Sequence, residues 1–336
     1  MNHQPEHREV VVITGATAGV GRATTREFAR RGASIGLLAR GEDGLAATRA
    51  EVEELGGRAL AIPTDVSDAQ AVDEAAQRVE EELGPIDTWV NNAMTTIFSP
   101  ITEIEPFEFR RATDVTYLGT VYGTMSALKR MIPRDRGTIV QVGSALAYRA
   151  IPLQAPYCGA KHAIRGFTDS LRSELIHDRR NIHVTMVQLP GLNTPQFSWC
   201  ESRLPNKPQP VPPIFQPEVA GRAIYWAAHH RRREVYVGRS TVMTVYGQKF
   251  LPWFLDRYLA SAAWGGQQTD QPASPRRQSN LFEPVAGDHG AHGDFDPSAE
   301  SRSWQFQATS NRRLLASGAA AIGGLALGLL SRRLIG

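Results

Sequence analysis

Apolar residues recur along the first three quarters of the chain in two alternating rhythms, and that alternation predicts the fold. Short runs rich in Val, Ile, Leu and Ala at 10–14, 34–39, 59–63, 88–90, 138–142 and 184–189 read as buried strands. Between them, 22–31, 45–55, 69–83, 107–131 and 155–177 place apolar positions at helical spacing, with Ser67 or Asp68 available to cap the third of these. One more helix at 217–229 and one more strand at 235–245 complete the series. Strands separated by helices of this length imply parallel pairing with helices on both faces. The expectation is a doubly wound, Rossmann-like α/β fold, a single catalytic domain over residues 10–264.

Outside that body the pattern changes. Residues 1–9 are polar, without the apolar stretch of a secretory signal, and read as a disordered N-terminus. Residues 265–313 are dominated by Gln, Asp, Ser, Pro and Gly with no apolar periodicity, and read as a disordered linker. Residues 314–331 are uncharged and lie between Arg312-Arg313 and Arg332-Arg333. As a helix they would span about 27 Å, just short of a ~30 Å hydrocarbon core. Gly324 and Gly328 carry a spacing that supports helix association. This tail reads as a transmembrane helix, a buried apolar helix on a partner subunit, or a loose Ala/Gly tail.

Composition narrows the function classes. The net charge of +3 is too small for a protein that binds nucleic acid by neutralising phosphates. Two cysteines, Cys158 and Cys200, exclude a disulfide framework and a four-cysteine zinc site. His289 and His292 have no cysteine partners, so no metal site is expected. His229-His230 and the three arginines after them read as a solvated helix end. The expected setting is a reducing cytoplasm, with the catalytic domain free or anchored to a membrane by the tail.

Ligands of such sheets bind at the carboxyl ends of the strands, so the turns there carry the chemistry. After the first strand comes Thr14-Gly15-Ala16-Thr17-Ala18-Gly19-Val20-Gly21, where glycines let backbone approach a pyrophosphate before a helix N-terminus. After the second strand stands Arg40, where an acidic residue would select NAD; an Arg can pair with the 2′-phosphate of NADP. In Tyr157-Cys158-Gly159-Ala160-Lys161, Tyr157 and Lys161 are four apart and share a helix face. Ser144 stands thirteen residues upstream, at the end of the fifth strand.

Together the Gly-x-x-x-Gly-x-Gly turn, Ser144 and Tyr-x-x-x-Lys resemble the short-chain dehydrogenase/reductase family over residues 8–250. The resemblance implies Tyr157 as general acid/base, Lys161 as support for its phenolate and as a partner of the nicotinamide ribose, and Ser144 as the group that orients the substrate oxygen. It further implies cofactor contacts from Gly15, Thr17, Gly19, Val20 and Gly21, and from Asp65-Val66 at adenine. Asn91 and Ala93 would line the channel, and the Pro190-Gly191-Leu192-Asn193-Thr194 turn, Thr194 above all, would hold the carboxamide. The chain is expected to form a homo-oligomer.

Two positions depart from the family's pattern. Met94 replaces the Gly of Asn-Asn-Ala-Gly, and Thr116 replaces an Asn that supports the catalytic Lys through a water. Thr116 is therefore the expected relay residue. Phe197, Trp199 and Phe215 around a Pro-rich segment would line a lid over a small hydrophobic carbonyl or alcohol. The implied activity is NADP-dependent hydride transfer on such a substrate. A non-catalytic NADP-binding sensor or scaffold is the alternative, and an epimerase or dehydratase that recycles its cofactor is a third reading.

Overall fold

The computed structural model describes residues 8–312. Seven strands form one parallel sheet: β1 (Val10–Thr14), β2 (Ser34–Ala39), β3 (Arg58–Pro63), β4 (Thr88–Asn91), β5 (Gly137–Ser144), β6 (Ile182–Leu189) and β7 (Glu234–Tyr236). Their spatial order is β3-β2-β1-β4-β5-β6-β7. β1 and β2 are buried along their whole length, as strands covered on both faces must be. One core joins β1 and β2 to α1 (Gly19–Ala29) through Phe28, with Ala223 and Ala227 of a later helix, Pro217–Ala228, on the same face. The other packs α3 (Ala69–Leu83), α5 (Gly119–Met131) and α6 (Ala155–His177) on Trp89 and Ile139. Asp68 caps α3, its carboxylate accepting from the amides of Gln70 and Ala71. Strand order reverses between β1 and β4, which opens a cleft at their carboxyl ends.

Three expectations are corrected. The 107–131 helix is interrupted: α4 (Pro106–Thr113) meets α5 through a π-turn, Asp114–Leu118, which brings Thr116 against the Thr95 backbone. The strand expected at 235–245 ends at Tyr236; Gly238, at φ +83°, reverses the chain into a helix, Arg239–Phe250. Its β-branched residues suggested a strand, yet the two buried ones, Thr241 and Val245, are four apart, which is helical spacing.

The third correction concerns 265–313. After the helix Pro252–Gly266, residues Gln268–Pro272 pair antiparallel with Asn206–Pro208. Ala299–Glu300 add to Ile214–Phe215, and the helix Trp304–Ser310 seats Phe306 edge-on to Trp226. Polar bonds and a few isolated apolar residues order this segment in place of an apolar face: Gln267 is fully buried, the Asn193 carboxamide oxygen accepts from the Phe295 amide, and Leu281 and Phe306 are buried. At the other terminus Glu9 is already fixed, accepting from the Thr88 hydroxyl. The expectations for 1–7 and for the apolar tail at 314–331 lie outside the described residues. Among the described residues no helix is long and apolar enough to cross a membrane.

Candidate active site

The glycine turn is built by close contact. Gly15 and Gly19 have φ of +64° and +55°, where L side chains are strained. A Cβ on Gly21 would lie 1.9 Å from the Gly15 carbonyl oxygen, so that glycine lets α1 press on the turn. Ala18 begins α1 without a side-chain cap, leaving backbone amides to find other acceptors. One of them is taken: the Gly19 amide donates to the Gly290 carbonyl at 3.1 Å.

Beside this turn a cavity of about 750 Å³ runs along the strand ends. Its walls include Gly15, Thr17, Gly19 and Val20, then Arg40, Asp65 and Val66, then Ala93. Both terminal nitrogens of Arg40 donate to backbone, at the carbonyls of Phe282 and Asn280. Burial lowers the pKa of Arg40, against the pull of Asp65. The Asp65 carboxyl is pushed up by burial, but hydrogen bonds from Arg111 and Ser67 more than reverse this and hold it below the usual range. Pro190, Gly191, Leu192 and Thr194 supply the opposite wall.

Ser144, Tyr157 and Lys161 meet on one section of the cavity. Ser144 ends β5 and accepts the Leu146 amide at 3.1 Å, which fixes its hydroxyl. Tyr157 lies in the first turn of α6, where Pro156 starts the helix and the positive end of the dipole favours a phenolate. The Lys161 ammonium is 5.5 Å from the Tyr157 ring centre and donates to the Val142 carbonyl at 2.7 Å. Burial pushes the Tyr157 phenol up to about 12, with the Ser144 hydroxyl pulling the other way. The Lys161 ammonium is lowered by burial to about 8. At neutral pH the pair therefore holds a protonated phenol beside a charged ammonium.

Some expected residues stand elsewhere. Asn91 is off the wall: its side chain donates to Thr124 and Gln141 and accepts from the Trp89 indole in the core. Side chains alternate along a strand end, so Asn92 turns to the cleft, donating to the carbonyls of Thr14 and Gly15. The Thr116 hydroxyl donates to the Thr95 carbonyl at 2.9 Å and accepts the Thr95 amide at 3.1 Å. Its proton is committed to the backbone, and it ties a loop in place of the relay expected of it. Phe197 and Trp199 do line the cavity, whereas Phe215 is buried in the core. Gly21 acts by packing beneath the wall.

The outer walls of the cavity are formed by residues that no sequence motif singles out. Met243, Leu255, Tyr258 and Leu259, on the two helices 239–250 and 252–266, line the same cavity. Asn280, Pro284, Val285, Gly287 and His289 close the side near Arg40. The apolar spacing of 252–266 could have marked the first group; nothing periodic marks the second. Cys158 and Cys200 are buried, with thiols raised by burial to about 11 and about 12, and are not reactive thiolates.

The residues present fit a nicotinamide dinucleotide. A Cβ on Gly15 would approach the Ala93 backbone to 2.9 Å, so the turn is shaped to keep side chains out, and one continuous cavity joins it to Tyr157.

Comparison with known proteins agrees with this geometry. Residues 9–202 match the family model described as short chain dehydrogenase. An uncharacterized oxidoreductase, YxnA, of Bacillus subtilis (strain 168) is 32% identical over 328 residues, 97% of this chain and 91% of its own. A fatty acyl-CoA reductase of Acinetobacter baylyi is 28% identical over 240 residues, 70% of this chain and 79% of its own. A 3-dehydrosphinganine reductase of Danio rerio is 33% identical over 193 residues, 56% of this chain and 58% of its own. With its parallel sheet, its glycine turn and a family model that covers more than half of its length, the chain belongs to the short-chain dehydrogenase family, as an oxidoreductase.

Proposed function

We propose that the protein transfers hydride between NADP and a long, apolar carbonyl or alcohol, with Tyr157 as general acid/base. A bound nicotinamide would supply or accept the hydride. The observation that carries the reading is the convergence of Ser144, Tyr157 and Lys161 on one section of the cavity. Tyr157, its phenol raised to about 12, holds its proton at neutral pH and can hand it to a carbonyl oxygen that gains negative charge. Lys161 stays largely charged below about pH 8 and stabilises the phenolate left behind. Ser144 holds the substrate oxygen near the phenol.

For the cofactor, Arg40 supports NADP over NAD: a cation stands at the end of β2, where a 2′-phosphate would lie. For the substrate, Met243 and Tyr258 line the cavity yet remain 60% and 55% exposed, and Phe250 and Trp253 stand exposed on the same two helices. The catalytic section thus opens onto an apolar rim that suits a chain longer than the cavity. Two relatives are named for reductions of a fatty acyl-CoA and of 3-dehydrosphinganine. An apolar tail at 314–331 would keep such an enzyme near a lipid surface, which fractionation of the full chain tests.

The test is a series of aldehydes and ketones of increasing chain length, with NADPH and NADH consumption followed by absorbance. Turnover should rise with chain length and prefer NADPH. Equal turnover of short polar and long apolar carbonyls would overturn the substrate class.

A further inference from the structure

The segment 280–293 crosses the open side of the cofactor cleft, and its bonds fall on the groups that a dinucleotide would use. At one end Leu281 is buried with Ile97 and Ala112, and its carbonyl accepts from Arg111. At the other, the Gly293 amide donates to the Asn193 carbonyl. Between these anchors the outer face is exposed while the inner face lines the cavity. The Asp288 carboxylate pairs with Arg22 at 3.0 Å, and Asp43 of α2 (Glu42–Glu54) accepts the Gly287 amide at 2.9 Å. The Gly290 carbonyl takes the Gly19 amide of the glycine turn.

We propose that residues 280–293 are a strap that lifts from the glycine turn to admit a dinucleotide and closes over it again. The inference rests on the nicotinamide-site reading above. Its physical basis is the contrast along the segment. Leu281 is buried and Gly293 is bonded to body backbone, whereas the middle is held at its surface by polar contacts: the pair of buried Arg22 with the exposed Asp288, the Gly287 and Gly19 amide bonds, Arg40 at the Phe282 carbonyl, His292 on Glu218, and the His289 ring edge-on to Trp199. Contacts of that kind open locally without unfolding the domain. Gly287 and Gly290, at φ +96° and +61°, occupy left-handed backbone on either side of Asp288. While the strap is down, the Gly19 amide has its acceptor and the pyrophosphate end of the cleft is covered.

A gate has a kinetic signature that a simple binding contact lacks. Weakening the closed state speeds entry and exit together, whereas losing a ligand contact speeds exit alone. NADPH association and dissociation would be followed by stopped-flow fluorescence on the full chain, comparing wild type with Asp288→Asn and with Asp43→Ala. Asp43 is exposed, so its variant is expected to fold whatever happens to the first; thermal midpoints check both. Both rates should rise by about tenfold in Asp288→Asn, less in Asp43→Ala, with Kd changed by less than about threefold. Amide exchange at Gly19 should quicken in parallel. Unchanged rates, or a faster exit alone with Kd weakened in proportion, would overturn the strap while leaving the cofactor site intact. A wild type that binds neither NADPH nor NADH would overturn the site reading and the strap together.

Discussion

Lys161 is a charge placed where charge is unfavourable, so its removal should stabilise the protein that it serves. Lys161 is 4% exposed, and its ammonium donates to the Val142 carbonyl at 2.7 Å. Burial lowers its pKa from 10.5 to about 8. At ~1.36 kcal/mol for each tenfold in proton affinity, keeping it charged costs the native state about 3.4 kcal/mol. Lys161→Met fills similar volume and loses one charge-assisted hydrogen bond, worth about 1.5–3 kcal/mol. The net expectation is a gain of about 0.5–2 kcal/mol at pH 7, up to a few degrees in Tm, with turnover abolished. The penalty in the wild type is complete below about pH 8. It fades as pH rises from there toward 10.5, because the native chain sheds a proton that the unfolded chain still holds. The variant's advantage should therefore be largest at pH 7 and shrink at pH 9.5. Urea titrations of both proteins at the two pH values measure it. A less stable variant at pH 7, or an advantage indifferent to pH, would refute the reasoning.

Arg40→Ala should weaken equilibrium NADPH binding by about ten- to a hundredfold and leave NADH nearly unchanged, since a charge-assisted bond to phosphate is worth roughly 1.5–3 kcal/mol; isothermal titration with each cofactor reads it, and equal loss for both would remove the 2′-phosphate role. Gly21→Ala puts a methyl 1.9 Å from the Gly15 carbonyl oxygen, so the turn must shift. It should lose about 1–3 kcal/mol of stability and most of its dinucleotide affinity, and a variant with wild-type affinity would show that the turn is not the cradle.

The sheet and most of the candidate site were legible because they are written at fixed spacing. Buried strands alternate with helices, Gly15 and Gly19 sit where φ is positive, and Tyr157 and Lys161 share a face by being four apart. What escaped was written without period. Asn91 and Asn92 differ by one position, and only the strand's alternation decides which faces the cleft. Thr116 looked like a relay because a hydroxyl could hold water, but its bonds go to Thr95 across a loop that sequence spacing does not place. The strap is held by single residues such as Leu281 and Asp288, whose partners Ile97 and Arg22 are far away in sequence. Low apolar content looked like disorder because side-chain hydrogen bonds to a distant body leave no local pattern.

The central claim is that Tyr157 moves the proton. Tyr157→Phe keeps the ring and removes only the hydroxyl, so NADPH affinity should stay within about twofold while turnover of the best carbonyl in the series falls by at least about a thousandfold. Turnover close to wild type in that variant, with cofactor binding intact, would contradict the account.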